Sequence, residues 1–180
     1  MTDPAKASDS NASVEKPSVS VVMGSDSDLP KMKACLKALE EFDIPFEVDV
    51  ISAHRTPDRA HEFATQAQPR GIKVIIAAAA GAAHLAGVVA SLTTLPVIGV
   101  PISSSALHGV DALHATVQMP PGVPVATVGV DASKNAAILA AQILAIADSN
   151  LRGKLEAYKS SMAEAVLEKS KKLKQTLGSQ

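Results

Sequence analysis

The chain has 180 residues, which is enough for one domain with a sizeable hydrophobic core. Hydrophobic residues make up 47% of it and aromatic residues only 2%, so the core must consist mainly of Ala, Val, Ile and Leu. That composition favours a parallel sheet packed on helices and argues against a stacking surface for single-stranded nucleic acid. The formal net charge of -1 argues against a broad basic face, and the single Cys35 excludes an internal disulfide and a multi-cysteine zinc site.

The first 17 residues are polar and lack the apolar core of a secretory signal, so we predict a disordered tail. After them, short apolar runs alternate with segments of helical periodicity, and no run predicts a membrane-spanning helix. The predicted strands cover 18–23, 46–51, 73–78, 96–101 and 123–130. The predicted helices include one with Met32, Leu36 and Leu39 on a common face, followed by 58–68, 88–92, 110–118, 135–147 and 151–177.

This alternation of strand and helix predicts a three-layer, doubly wound α/β domain with a parallel sheet over residues 18–150. Five such strands favour the flavodoxin-like order 2-1-3-4-5. The segment 151–180 is expected to add an extra C-terminal helix with a basic end. The helix at 135–147 is apolar on almost all sides, so we expect it to be buried, in part against another subunit.

Polar and small residues follow the first three predicted strands, at the point where each strand ends. They occupy the turns 25–28, 52–57 and 79–84, and Thr56 is expected to cap the helix that follows the second turn. In the order 2-1-3-4-5 these three turns meet at the carboxyl ends of neighbouring strands. Ligands of open α/β sheets bind at that place, so the convergence predicts a site.

The side chains of these turns favour a small phosphorylated substrate and proton transfer. His54 can move a proton near neutral pH, Arg55 can bind a phosphate, and the start of the first helix can hold an anion. The first turn lacks the Lys-Ser/Thr pair of a P-loop, and no further ligands accompany His54 and His84 to make a metal site. Taken alone, the first turn fits a capped helix start equally well, and the second turn fits an ordinary loop equally well. A lone histidine among apolar neighbours, such as His84, is more often structural than catalytic.

Four segments follow one another along the chain: Met-Gly-Ser-Asp-Ser-Asp at 23–28, Ser-Ala-His-Arg-Thr-Pro at 52–57, Gly-Ala-Ala-His-Leu at 81–85, and Gln-Met-Pro-Pro-Gly-Val-Pro-Val-Ala-Thr at 118–127. In this order they closely resemble the class I PurE family of N5-carboxyaminoimidazole ribonucleotide mutases. The resemblance runs from about residue 18 to 155. It does not cover the N-terminal tail or the distal C-terminal helix.

The resemblance implies an isomerase of purine biosynthesis that moves a carboxylate from the exocyclic nitrogen of an aminoimidazole ring to ring carbon C4. No cofactor, metal or ATP is implied. His54 matches the catalytic histidine, expected first to protonate the nitrogen during decarboxylation and finally to remove the C4 proton. The pocket would retain carbon dioxide between the two steps.

Matching positions also imply a substrate-binding set. Arg55 would bind the phosphate with Ser27, and Asp28 would accept hydrogen bonds from the ribose. Ser25 and the small-residue loop would hold the migrating carboxylate. His84 would serve orientation within the site and not proton transfer. The substrate-binding residues implied by the resemblance are Ser25, Ser27, Asp28, Ser52, Ala53, Arg55, Ala79, Ala80, His84 and Leu85.

The small-residue loop departs from the family pattern. Alanine stands at 78 and 80 where the family usually has glycine, and Ala86 replaces a proline. If position 80 normally takes a positive φ, Ala80 carries a strain of about 1 kcal/mol or more. Its extra methyl could also narrow the carboxylate pocket.

Two other functions stay open at this point. One is a class II aminoimidazole ribonucleotide carboxylase that takes free carbon dioxide, and the other is a non-catalytic nucleotide-binding regulator. The family also implies a homo-octamer, and we expect a cytoplasmic protein, with no nucleic acid or membrane partner, that receives its labile substrate from an ATP-dependent synthetase by transient handover. A flavodoxin is disfavoured because loop aromatics for a flavin are absent from the sequence.

Overall fold

A computed structural model describes residues 16–104 and 106–178, so residues 1–15 of the predicted tail lie outside the described part of the chain. Strands β1 to β5 are Val19–Met23, Phe46–Val50, Val74–Ala80, Val97–Ile102 and Ala126–Thr127. Helices α1 to α6 are Leu29–Glu41, Pro57–Ala67, Leu85–Leu92, Val110–Val117, Ser133–Leu144 and Ser149–Gly178. A 3₁₀ turn, Asp26–Asp28, leads directly into α1.

The five strands form one parallel sheet in the order β2-β1-β3-β4-β5, so the predicted strand order is confirmed. Val19 pairs with Phe46 on one side and with Val74 on the other, which aligns the carboxyl ends of the first three strands. The turns that follow these strands therefore open onto a common edge of the sheet.

Helices cover both faces of the sheet, as the doubly wound prediction requires. One buried cluster joins the sheet to α1 and α5, and the other joins it to α2 and α3. The inner face of α5 is alanine, and four of these alanines are completely buried: Ala136, Ala137, Ala140 and Ala141. Side chains this small let α5 lie close to the strands, so an alanine-rich chain with few aromatics can still pack densely.

The fifth strand is much shorter than predicted. The alternating pattern suggested 123–130, but only Ala126 and Thr127 pair with β4. Pro124 has no backbone N–H to contribute to a ladder, and Asp131 takes a left-handed φ of +56° that ends the extended run. Beyond Thr127, single bonds from Val128 to Gly99 and from Asp131 to Pro101 keep the segment against β4.

The C-terminal helix α6 begins on the domain and carries an apolar stripe along its whole length. Leu151 is buried, and Leu155 and Tyr158 pack against the α1–α5 cluster. The same face continues at 11-residue intervals, because 11 residues make close to three full turns. From Leu151 it reaches Met162 and Leu173, and from Leu155 it reaches Val166 and Leu177. These later members are exposed, at 44% for Met162 and 61% for Leu173.

No described helix, α6 included, combines the length and the apolar character needed to cross a membrane.

Candidate active site

A cavity of about 340 Å³ opens at the carboxyl ends of β1, β2 and β3. Its lining comes from the three predicted turns: Gly24, Ser25, Ser27, Asp28, Ser52, Ala53, His54, Arg55, Ala79, Ala80, Ala82 and Leu85. Ten of the eleven predicted site residues are therefore brought together. His84 is the remaining one, and it reaches the cavity through its contact with His54. Gly24 and Ala82 line the cavity without having been singled out, although both lie inside the family motifs.

The first turn places hydroxyl groups and a buried carboxyl at the start of α1. Ser25 caps the 3₁₀ turn by accepting hydrogen bonds from the N–H of Ser27 (3.3 Å) and from its hydroxyl (2.8 Å). Asp28 is only 5% exposed. Burial raises the pKa of Asp28 above its ordinary value. A hydrogen bond with the backbone of Ser25 lowers this pKa, and the nearby charge of Asp26 raises it, so the net shift is upward. An under-solvated carboxylate at the cavity wall is ready to accept hydrogen bonds from ligand hydroxyl groups.

The second turn is closed by Thr56 in a way that the cap prediction missed. Thr56 stands before α2, but its hydroxyl does not cap that helix. It accepts the N–H of Ser52 at 3.2 Å and donates to the carbonyl of Ser52 at 2.9 Å, which closes the 52–56 loop on itself. The expected capping role is therefore wrong, because the nearer Ser52 backbone takes the hydroxyl group.

The Arg55 guanidinium is held at the cavity by two hydrogen bonds. Its Nε donates to Ser52 Oγ at 3.3 Å, and Nη2 donates to the carbonyl of Gly24 at 3.4 Å. The backbone N–H of Arg55 also donates to Ser52 Oγ, at 3.2 Å. A guanidinium has five N–H donors, so three remain for an anion beside the N-terminus of α1.

The third turn relieves Ala80 of the strain expected from the sequence. The positive φ of this loop, +58°, falls on Gly81, and Ala80 is not among the described residues with positive φ. Ala80 continues β3 and pairs with Ile102 on β4. The expected strain is therefore wrong, because a β-strand conformation suits alanine as well as glycine. The methyl groups of Ala79 and Ala80 do form part of the cavity wall.

His54 and His84 form a pair across two turns of the sheet edge. His54 Nε2 lies 2.9 Å from His84 Nδ1, and the two rings meet edge to face with centroids 5.0 Å apart. When both rings are neutral, one nitrogen of the contact must donate and the other must accept, so a single proton lies between them. The contact fixes the tautomer of one ring by that of the other.

A second cavity, of about 370 Å³, lies between the α1–β2 turn and the start of α6. Two of its charged groups already neutralise each other, since Lys154 binds Asp43 at 2.8 Å. Asp148 in the same wall caps α6 by accepting the N–H of Leu151 at 3.0 Å. The cavity with His54 and Arg55 is therefore the better candidate for chemistry. Within residues 16–104 and 106–178, no group of three His, Cys, Asp or Glu side chains could hold a metal ion.

Residues 18–165 match the family described as AIR carboxylase. The chain belongs to the AIR carboxylase family. Every residue that lines the cavity at the carboxyl edge lies inside the matched range.

Several members of the AIR carboxylase family resemble this chain over nearly its whole length. The N5-carboxyaminoimidazole ribonucleotide mutase of Pyrococcus horikoshii is 58% identical, with 89% of this chain and 91% of that protein covered. The mutase of Thermotoga maritima is 57% identical, with 88% and 93% covered. The phosphoribosylaminoimidazole carboxylase of Saccharomyces cerevisiae is 55% identical over 91% of this chain, but the match spans only 28% of the yeast protein.

Solved structures of this family agree with the fold. The crystal structure of Treponema denticola PurE superposes with a TM-score of 0.81 at 29% identity, covering 88% of this chain and 99% of that one. Because the match covers most of both chains, the fold of this chain is the fold of that structure.

Proposed function

We propose that the chain is an N5-carboxyaminoimidazole ribonucleotide mutase, an isomerase that converts this nucleotide into 4-carboxy-5-aminoimidazole ribonucleotide in purine biosynthesis. One observation carries the proposal: relatives with that name are 57–59% identical to it over most of both chains. The geometry of the cavity supports it, because an imidazole pair, a guanidinium and a helix N-terminus converge there.

The cavity offers a separate place for each part of such a substrate. The phosphate fits the free donors of Arg55, with Ser27 and the start of α1 beside it. The ribose hydroxyls fit Asp28, whose buried carboxylate gains the donors that it lacks. The migrating carboxylate fits Ser25 and the loop with Ala79 and Ala80, together with Ser52, Ala53 and Leu85 around the ring.

His54 is the proposed acid and base. It donates a proton to the exocyclic nitrogen while the bond from that nitrogen to the carboxyl carbon breaks, which releases carbon dioxide and the amine. Carbon C4 then attacks the retained carbon dioxide, and His54 removes the proton from C4. The proton given equals the proton taken, so no co-reactant is consumed. His84 orients the His54 ring through the 2.9 Å contact.

The deciding experiment measures conversion of N5-carboxyaminoimidazole ribonucleotide in the absence of ATP and added metal. We compare the wild type with His54→Asn and with His61→Asn, because His61 is an exposed histidine of α2 outside the cavity. The proposal expects turnover in the wild type and in His61→Asn, and binding without turnover in His54→Asn. Turnover retained by His54→Asn would remove its catalytic role.

A carboxylase is the second candidate, favoured by the yeast relatives of 52–56% identity that are named phosphoribosylaminoimidazole carboxylase. That activity starts from aminoimidazole ribonucleotide and carbon dioxide. Feeding that nucleotide with bicarbonate, in parallel with the mutase substrate, separates the two. Binding of both nucleotides with no reaction of either would favour a non-catalytic regulator.

Further expectations concern organisation. We propose that residues 18–150 form the catalytic domain, that 151–180 serve assembly, and that the chain is a homo-octamer. Support comes from the exposed stripe of α6, which continues the face that packs on the domain. Light scattering of the full chain would give its mass. A cytoplasmic location and transient handover from the ATP-dependent synthetase stay predictions, the latter testable by competition with a trap for the free substrate.

A further inference from the structure

Asp111, on α4 beside the cavity, has an anomaly that the proposed reaction leaves unused. Across residues 16–104 and 106–178, its Oδ1 is the one buried side-chain nitrogen or oxygen atom without a hydrogen-bond partner. A carboxylate at the second position of a helix favours the helix dipole, but exposed oxygens serve that purpose equally well. Burying one of them without a donor is costly, so the dipole alone does not explain the arrangement.

The Asp111 carboxylate stands next to the loop that joins β3 to α3. A β-carbon built on Gly81 would lie 3.9 Å from Oδ2 of Asp111. Gly81 takes the left-handed φ of +58°, and its neighbours Ala80 and Ala82 both line the cavity. The carboxylate therefore flanks the one left-handed residue of the loop, and the residues on either side of it form part of the cavity wall.

One backbone donor of this loop is spare. The N–H groups of Ala83 and His84 bond inside the loop, to the carbonyls of Gly81 and Ala82, and the pairing of Ala80 with Ile102 directs the N–H of Gly81 to the sheet. The N–H of Ala82 has no backbone acceptor among the described residues. The loop that Asp111 contacts therefore holds a donor without an acceptor, and Asp111 holds an acceptor without a donor.

We propose that Asp111 is a positioning residue: its buried Oδ1 accepts a hydrogen bond from the N–H of Ala82 when substrate fills the cavity, and so holds the β3–α3 loop closed over the carbon dioxide intermediate. The inference rests on the proposed mutase reaction. Holding the loop closed would also keep His84 in its 2.9 Å contact with His54, since His84 ends the loop. Without that bond the same oxygen stays unsatisfied, so on this proposal Asp111 lowers the stability of the open loop in exchange for a defined closed state.

The test compares Asp111→Leu, which keeps a similar shape without an acceptor, with Asp111→Asn, which keeps an amide oxygen. Asp58→Leu is the matched control, because Asp58 is the second residue of α2 and is exposed outside the cavity. The main readout is the ratio of carboxylated product to aminoimidazole ribonucleotide, the amine left when carbon dioxide escapes. The labile carbamate also loses carbon dioxide without enzyme, so the ratio is taken in single turnover with enzyme in excess and after subtraction of the enzyme-free rate. Under those conditions the ratio does not depend on the fraction of folded enzyme, so mere destabilisation does not change it.

We expect Asp111→Leu to raise the escaped fraction about tenfold, the effect of one lost hydrogen bond, with Asp111→Asn and Asp58→Leu close to the wild type. The unliganded Asp111→Leu protein should melt about 2–4 °C higher, because it loses the unsatisfied atom. A lower melting temperature with an unchanged ratio would make Asp111 structural and overturn the inference. So would an unchanged ratio with unchanged stability.

If the wild type itself yields no carboxylated product, the proposed function fails and Asp111 is judged separately. Amide exchange of residues 81–84 is then measured with and without bound aminoimidazole ribonucleotide. Protection that appears in the wild type and is absent in Asp111→Leu supports loop closure by Asp111. Equal protection in both proteins refutes it.

Discussion

Replacing His84 separates two things that this residue can do for His54. If His84 only orients the ring, its removal forfeits one hydrogen bond between neutral groups, seen here at 2.9 Å. Such a bond is worth about 0.5–1.5 kcal/mol, which corresponds to a rate loss of roughly 2- to 13-fold. If His84 carries the proton, its removal costs about 10²–10⁴-fold. We expect orientation, so His84→Ala should lower kcat about tenfold.

The geometry also predicts a rescue. The contact uses Nδ1 of His84, which is bonded to Cγ. In asparagine the amide oxygen Oδ1 and the amide nitrogen Nδ2 are bonded to Cγ, so one of them can take the place of Nδ1. His84→Asn should therefore recover most of the kcat that His84→Ala loses. The assay is single-turnover conversion of the mutase substrate over a range of pH, with His61→Ala as a control outside the site. A loss above about 100-fold in His84→Ala that asparagine does not repair would refute orientation.

Three further outcomes follow from the surroundings of single residues. Asp28→Asn should weaken substrate binding yet stabilise the protein without substrate at neutral pH. Because the pKa of Asp28 is raised, its ionisation lowers the free energy of unfolding as pH rises above the ordinary value of 3.8, and urea unfolding against pH measures this. Asp131→Asn should lower the free energy of unfolding by about 1 kcal/mol at pH 7. This loss should shrink as pH falls through the lowered pKa of Asp131, and a flat pH profile would contradict the reasoning. Gly99→Ala should destabilise by about 1–3 kcal/mol in urea, because its β-carbon would collide with Thr116 and lie 2.9 Å from Val125.

The lowered pKa of Asp131 has a local cause. Burial alone would raise it, but hydrogen bonds outweigh burial, from Lys31 at 2.7 Å and from the hydroxyl and N–H of Ser103. Asp131 also has a φ of +56°, which asparagine tolerates well, so Asp131→Asn tests the charge and leaves the backbone unstrained. The network joins α1 to the loops after β4 and β5.

Much of the fold could be predicted from the sequence because its signals are periodic. Apolar runs such as 18–23 and 73–78 place the inner strands, and regular alternation with helices leaves few strand orders to consider. The positions of the three site turns follow from that order. Edge strand β5 was overestimated, because the alternation around Ala126 and Thr127 outlasts the backbone pairing.

The site contacts could not be predicted, because they join residues that are distant along the chain. His54 and His84 are 30 residues apart, and only the pairing of β1 with β2 and β3 brings their turns together. The Thr56 hydroxyl could accept either an N–H of α2 or the N–H of Ser52, and propensity favoured the wrong donor. Asp111 gave no sequence signal, since a carboxylate at a helix start is ordinary until its burial is seen.

The long helix α6 also changes the electrostatic field around the α/β sheet and its helices. It holds seven of the 17 Lys and Arg residues but only three of the 18 Asp and Glu residues. The rest of the chain therefore has ten basic against 15 acidic residues, a surplus that repels a phosphorylated and carboxylated substrate within a Debye length of about 8 Å. As a counter-charge, α6 brings the whole chain close to neutrality, so a protein cut before residue 149 would capture its anionic substrate more slowly in dilute salt.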